Sequence, residues 1–181
     1  TMSHDIRTPM NAVIGMTEIA KLHLDDAGYV RDCLDKVSAS SSHLLTLVND
    51  ILDISKVEAG KLEVRPENAS VERLVDGLRG MFEPLAMDRK LGFQVDVQQG
   101  SPTLLFTDRQ RLEQILKNLL SNAIKFTEQG QVSLSVSRAP GEGIAFTVRD
   151  SGIDIAPEQQ ESIFEAFRQA DGTTNRRYGG T

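Results

Sequence analysis

The chain has 181 residues, 39% of them hydrophobic and 25% charged, with a formal net charge of -6. This is ordinary composition for one or two globular domains, and the acidic excess excludes a dedicated nucleic-acid binder, which needs a concentrated basic face. The lone cysteine, Cys33, excludes an internal disulfide or thiolate zinc cluster and fits a reducing cytosol; no apolar run nears the roughly 20 residues that span a bilayer, and no signal-peptide pattern opens the chain.

From Thr1 to about Val57 the apolar residues recur at three and four, with Ile6, Met10 and Val13 on one stretch and Leu34, Val37, Leu44, Val48 and Ile51 on another. The spacing predicts two helices. The run Leu24-Asp25-Asp26-Ala27-Gly28 breaks it, and so short a connection implies an antiparallel hairpin. Two helices with one apolar stripe each bury little alone, so a homodimer closed as a four-helix bundle is expected. Ser41 and Ser55 on the seam weaken a strict coiled-coil reading. Gly60 reads as a helix stop, dividing the chain into a hairpin over 1–59 and a mixed domain over 60–181. In the latter, Lys61 to Arg65 reads as a short strand, Val71 to Met87 as a helix, Leu91 to Val97 as a strand and Arg109 to Ile124 as a strongly periodic helix. Gln131 to Ser137 and Ile144 to Arg149 alternate as strands around the turn-rich run Ala139-Pro140-Gly141-Glu142-Gly143. The expected fold class is α+β, an α/β sandwich following the hairpin.

Chemistry gathers in four places. Ser3-His4-Asp5-Ile6-Arg7-Thr8-Pro9 sets an imidazole beside a carboxylate at the start of the first helix. A neutral imidazole attacks phosphorus through one nitrogen when an acceptor such as Asp5 steadies the proton on the other; in isolation the same run reads as a solvated surface histidine. Asn118, Asn122 and Lys125 share one helical face. Amide oxygens suit magnesium and an ammonium suits phosphate, although an ordinary polar face has the same spacing. Asp150-Ser151-Gly152 ends a strand with an acceptor that recognises the amino group of adenine, or is simply an Asp-containing turn. Phe164 and Phe167 read either as core or as the anchor of a lid formed by the polar, glycine-bearing stretch after them, where Arg176 and Arg177 offer cations to phosphate or to solvent.

These segments, in this order, resemble the catalytic core of a sensor histidine kinase over essentially the whole chain. His4-Asp5-Ile6-Arg7-Thr8-Pro9 is similar to that family's H box, Asn118 to Thr127 to its N box, Asp150-Ser151-Gly152 to its G1 box, Ile163 to Asp171 to its F box, and Tyr178-Gly179-Gly180-Thr181 to the start of its G2 box. The wording is most similar to hybrid kinases that feed a phosphorelay. The resemblance implies a dimerisation and histidine-phosphotransfer hairpin followed by an ATP-binding domain of the gyrase, chaperone and histidine-kinase type. It implies His4 as phosphoacceptor, Asp5 as its base or orienting partner, and Thr8 positioning water when a partner is dephosphorylated. Asn122 would hold Mg2+, with Asn118 and Lys125 at the phosphates of ATP, Asp150 at adenine and Gly152, Gly179 and Gly180 lining the nucleotide. The implied partners are a second copy and a response-regulator receiver domain. The implied location is cytoplasmic, with no direct membrane contact by this piece and a parent protein that is anchored.

Two departures from the family pattern carry expectations. Asp154 stands where the G1 pattern has a second glycine, which allows close backbone approach or a positive φ. Its charge, about 5 Å from a phosphate at an effective dielectric of about 20, would repel by roughly 3 kcal/mol, so weakened ATP binding is expected. The remaining family glycines and their helix, whose backbone donors cradle phosphate, are missing, which implies a piece of a larger receptor. The leading function is ATP-dependent autophosphorylation of His4 with transfer to an aspartate of a response regulator. The alternative is a catalytically degenerate dimerisation and regulator-binding module, or a phosphatase.

Overall fold

A computed structural model of the chain describes residues 2–141 and 143–160. The apolar spacing of the first segment becomes helices α1 (Met2–Leu22) and α2 (Ala27–Glu58). Asp26 starts α2 by accepting the Tyr29 N–H on its carboxylate at 3.0 Å, an N-cap that satisfies one orphan donor of the first turn. His23, Nδ1 2.9 Å from the Ile19 carbonyl and its ring 4.6 Å from that of Tyr29, closes α1. The histidine therefore has a structural role in the hairpin turn. Gly60 is the expected stop: at a φ of 64° it donates to Val57 at 2.9 Å while Lys61 donates to Lys56 at 2.8 Å, the paired bonds of a Schellman cap.

The apolar residues of α2 divide into two stripes. Cys33 is buried and Val37, Leu44, Leu47, Ile51 and Ile54 are half-buried, continuing the seam that α1 lines with Pro9, Val13, Met16 and Ala20. Leu34, Leu45, Val48 and Leu52 stay exposed. Leu34 and Val48 thus leave the stripe on which the spacing grouped them with Val37, Leu44 and Ile51.

Two compact units are present, one built on Thr1–Leu62 and the other on Glu63–Ala156. In the second, β1 (Glu67–Ser70), α3 (Val71–Asp88), β2 (Gly92–Val97), β3 (Leu104–Thr107), α4 (Arg109–Phe126), β4 (Gln131–Arg138) and β5 (Ile144–Asp150) follow in order. β1 pairs antiparallel with β3. The larger sheet runs β2-β4-β5, with β2 parallel and β5 antiparallel to β4. Lys61 to Arg65 is not a strand: the Arg65 N–H, which a ladder would need, bonds the Asp108 carboxylate at 3.0 Å instead, and Pro66 follows with no N–H to give.

The core is a helical layer on a sheet. Leu74, Leu78, Phe82 and Ala86 from α3 and Leu116, Leu120, Ala123 and Ile124 from α4 cover Val132 and Leu134 of β4. A sheet covered on one face buries alternate residues, and β4 does so through Val132, Leu134 and Val136, each fully buried. The register Val132↔Asp150 places the end of β5 against the beginning of β4, beside the C-terminal end of α4.

Candidate nucleotide and phospho-acceptor sites

The last turn of α4 is closed from three other segments. A helix leaves its final carbonyls without intrahelical donors, and here each has a partner. Thr127 Oγ1 donates to Ala123 at 2.7 Å, Arg89 Nη1 donates to Ile124 at 3.1 Å and to Lys125 at 3.3 Å, and the Ile153 N–H reaches the Phe126 carbonyl at 3.4 Å. Arg89 is aimed there by the end of α3, where Lys90 takes a φ of 59° and donates to Met87 while Leu91 donates to Ala86, a Schellman cap whose apolar contact lies in the core.

The turn after β5 locks onto the same place. Asp150 Oδ1 accepts the Gly152 N–H at 2.9 Å. A Cβ on Gly152 would sit 2.5 Å from the Phe126 carbonyl oxygen, so the turn abuts α4 closely enough to require glycine. Ser151 Oγ accepts the Gln131 N–H at 3.0 Å and donates to the Gln129 carbonyl at 3.3 Å. That hydroxyl fills the space beside Gly130, which has a φ of 111°.

On this frame Asn118 and Asn122 are exposed and Lys125 is half-buried one turn from the β5 turn. Burial, and after it the Arg89 charge, lower the pKa of the Lys125 ammonium from the usual lysine value, and its Nζ stands 5.4 Å from the Phe126 ring centroid. The donor set fits a magnesium nucleotide. Mg2+ keeps most of its waters and takes one or two protein oxygens, of the kind that the exposed Asn122 amide would offer. Asp150 gives one oxygen to its own turn and retains acceptor capacity for an exocyclic amine.

His4 is exposed on α1, and the Thr8 hydroxyl donates back to the His4 carbonyl at 3.1 Å. Pro9 is buried inside the helix and has no N–H for the Asp5 carbonyl, so the turn carrying His4 is bounded by a local break in the backbone ladder. The Asp5 side chain, Phe164, Phe167, Arg176, Arg177, Gly179 and Gly180 lie outside the described residues. Sequence reasoning missed Arg89, Ser151 and Thr127 as structural supports. Arg89 meets α4 across 35 positions of chain, where no periodic pattern reports it.

A helical hairpin bearing an exposed histidine, joined in one chain to an α/β sandwich with an Asn-Lys helix against an Asp-Gly turn, defines a phospho-acceptor module with an ATPase-type domain. Residues 1–60 match the His Kinase A (phospho-acceptor) domain, and residues 107–181 match the family of histidine kinase-, DNA gyrase B- and HSP90-like ATPases. The chain belongs to the sensor histidine kinases of two-component signalling and carries their catalytic core. It is 40% identical over 185 residues to the sensory/regulatory protein RpfC of Xanthomonas campestris pv. campestris, covering 99% of this chain and 25% of RpfC. Full-length ShkA, solved in complex with AMPPNP, superposes with a TM-score of 0.71 at 34% identity over 97% of this chain and 37% of its own. The histidine kinase ThkA, solved in complex with the response regulator protein TrrA, gives 0.68 at 25% identity over 92% and 48%. The chain spans about a quarter or less of the curated relatives it matches. Among the described residues, no helix is long and apolar enough to cross a membrane.

Proposed function

We propose that the chain autophosphorylates on His4 with ATP and passes the phosphoryl group to an aspartate of a response-regulator receiver domain, acting as a cytoplasmic homodimer divided at about 59/60. The observation that carries this is an exposed helix-borne histidine in the same chain as the α4–β5 nucleotide site. Asp150 reads the exocyclic amine of adenine, Gly152 keeps the floor beside Phe126 free of a side chain, and Lys125, with Asn118 beside it, meets phosphate oxygens. Mg2+, held by Asn122, neutralises phosphate charge when bound. One His4 imidazole nitrogen attacks the γ-phosphorus, the bond to the ADP oxygen breaks and ADP leaves; a proton held at the other nitrogen fixes the tautomer, the role we assign to Asp5. Phosphoryl transfer demands alignment and charge neutralisation more than covalent help from the protein. A second task, dephosphorylating a regulator with Thr8 placing water, falls to the lone pairs of the Thr8 hydroxyl, which can accept from a water while its proton is held by the His4 carbonyl.

Labelled ATP with magnesium tests the reading. The label should be acid-labile and base-stable, and His4→Ala should remove it; label that survives the substitution, or nucleotide binding without any labelling of the intact parent, favours the non-catalytic regulator-binding module.

A further inference from the structure

We infer that Arg89 is a positioning residue for nucleotide binding, holding the last turn of α4 in the place where Lys125 meets phosphate. The inference rests on the nucleotide reading of the α4–β5 site. At the end of α4, Arg89 Nη1 donates to two consecutive carbonyls, those of Ile124 and Lys125, at 3.1 and 3.3 Å. A guanidinium holds this geometry because its donors are fixed in a plane, and its charge opposes the negative end of the helix dipole. The same last turn bears the Lys125 side chain and follows Asn122 by less than one turn, so fraying there moves both. Thr127 and Ile153 secure the flanking carbonyls, those of Ala123 and Phe126. The Schellman cap of α3 makes the aim of Arg89 a property of the fold, since Leu91 and Ala86 fix the cap in the core. Arg89 does not touch the reacting atoms, and its effect should travel through Lys125.

Calorimetry with magnesium and a non-hydrolysable ATP analogue on the full chain tests this. Arg89→Gln should weaken binding about tenfold, the loss of a charge-assisted hydrogen bond, and Arg89→Lys should recover part of that because a point charge reaches one carbonyl of the pair. Combined with Lys125→Ala, Arg89→Gln should add little, since its effect runs through a side chain already gone. A purely structural role would lower the melting temperature, leave affinity unchanged, and make the double variant additive. Equal affinity of the wild type and Arg89→Gln, or additivity with Lys125→Ala, overturns the inference while leaving the nucleotide reading standing. A wild-type chain that binds no nucleotide overturns both.

Discussion

At the residue scale the sharpest question is Asp154, an exposed carboxylate in the segment that follows β5. Backbone strain is not its effect: Lys90 is the only non-glycine residue with a positive φ among the described residues, so Asp154 occupies an ordinary conformation. Charge and bulk remain. Because the side chain is exposed, the effective dielectric moves toward that of water, and the roughly 3 kcal/mol expected for a sheltered pair at about 5 Å drops to about 1 kcal/mol. Asp154→Gly should therefore tighten magnesium–ATP binding by about fivefold, with the gain shrinking as salt rises because exposed charges are screened. An affinity that does not change, or a gain indifferent to salt, would remove electrostatics as the reason.

At the element scale α4 organises the site from both ends. Its N-cap is Asp108, whose two oxygens accept the Arg111 N–H at 3.1 Å and the Arg65 N–H at 3.0 Å. The Arg65 bond first, then the Arg111 bond, lowers the carboxyl pKa from the usual aspartate value. A depressed folded-state pKa adds stability that is present above the unfolded value near 3.9 and lost as pH falls through the lower folded value. Asp108→Asn keeps a capping oxygen but no charge, so the variant should melt lower than the wild type at neutral pH, and the gap between the melting curves should close in that acidic window. A gap independent of pH would show that the carboxylate charge is immaterial. Asp108 also explains where sequence reading succeeded and failed. The periodic run after it identified α4, and with it the shared face of Asn118, Asn122 and Lys125, because helical spacing is local. The strand read at Lys61 to Arg65 failed because a carboxylate 43 positions away takes the Arg65 N–H. β1 and β3 escaped notice because each has only four residues and Glu67-Asn68-Ala69-Ser70 shows no apolar alternation. His4 and the Asp150-Ser151-Gly152 turn were legible as motifs; the Arg89 and Ser151 bonds that support the nucleotide site were not, since they exist only once distant segments meet.

At the scale of the whole molecule the two units differ in how they are stabilised. The Glu63–Ala156 unit encloses its own core, with Leu74, Leu78, Leu116, Leu120, Val132, Leu134 and Val136 almost wholly removed from solvent. The hairpin does not: Leu34 is 56% exposed, Leu45 63%, Val48 40% and Leu52 52%, and the three last recur at the three-and-four spacing of a helical interface. Burying a leucine side chain is worth about 1.5–3 kcal/mol, so leaving this stripe open forfeits an amount comparable to the stability of a small domain. A second copy supplies an identical stripe in a two-fold arrangement, which closes on itself and needs no further partner. Replacing Leu45 and Leu52 together by glutamate sets carboxylates of the two copies against each other in an apolar seam, and the chain should sediment as a monomer. Its helical signal should melt earlier and lose the rise with protein concentration that dimerisation imposes. Magnesium–ATP affinity should be preserved, because the α4–β5 site draws every described residue from the self-contained unit. A doubly substituted chain that still sediments as a dimer would place the interface elsewhere, and one that loses nucleotide affinity along with the dimer would show that the second unit depends on the association of the first.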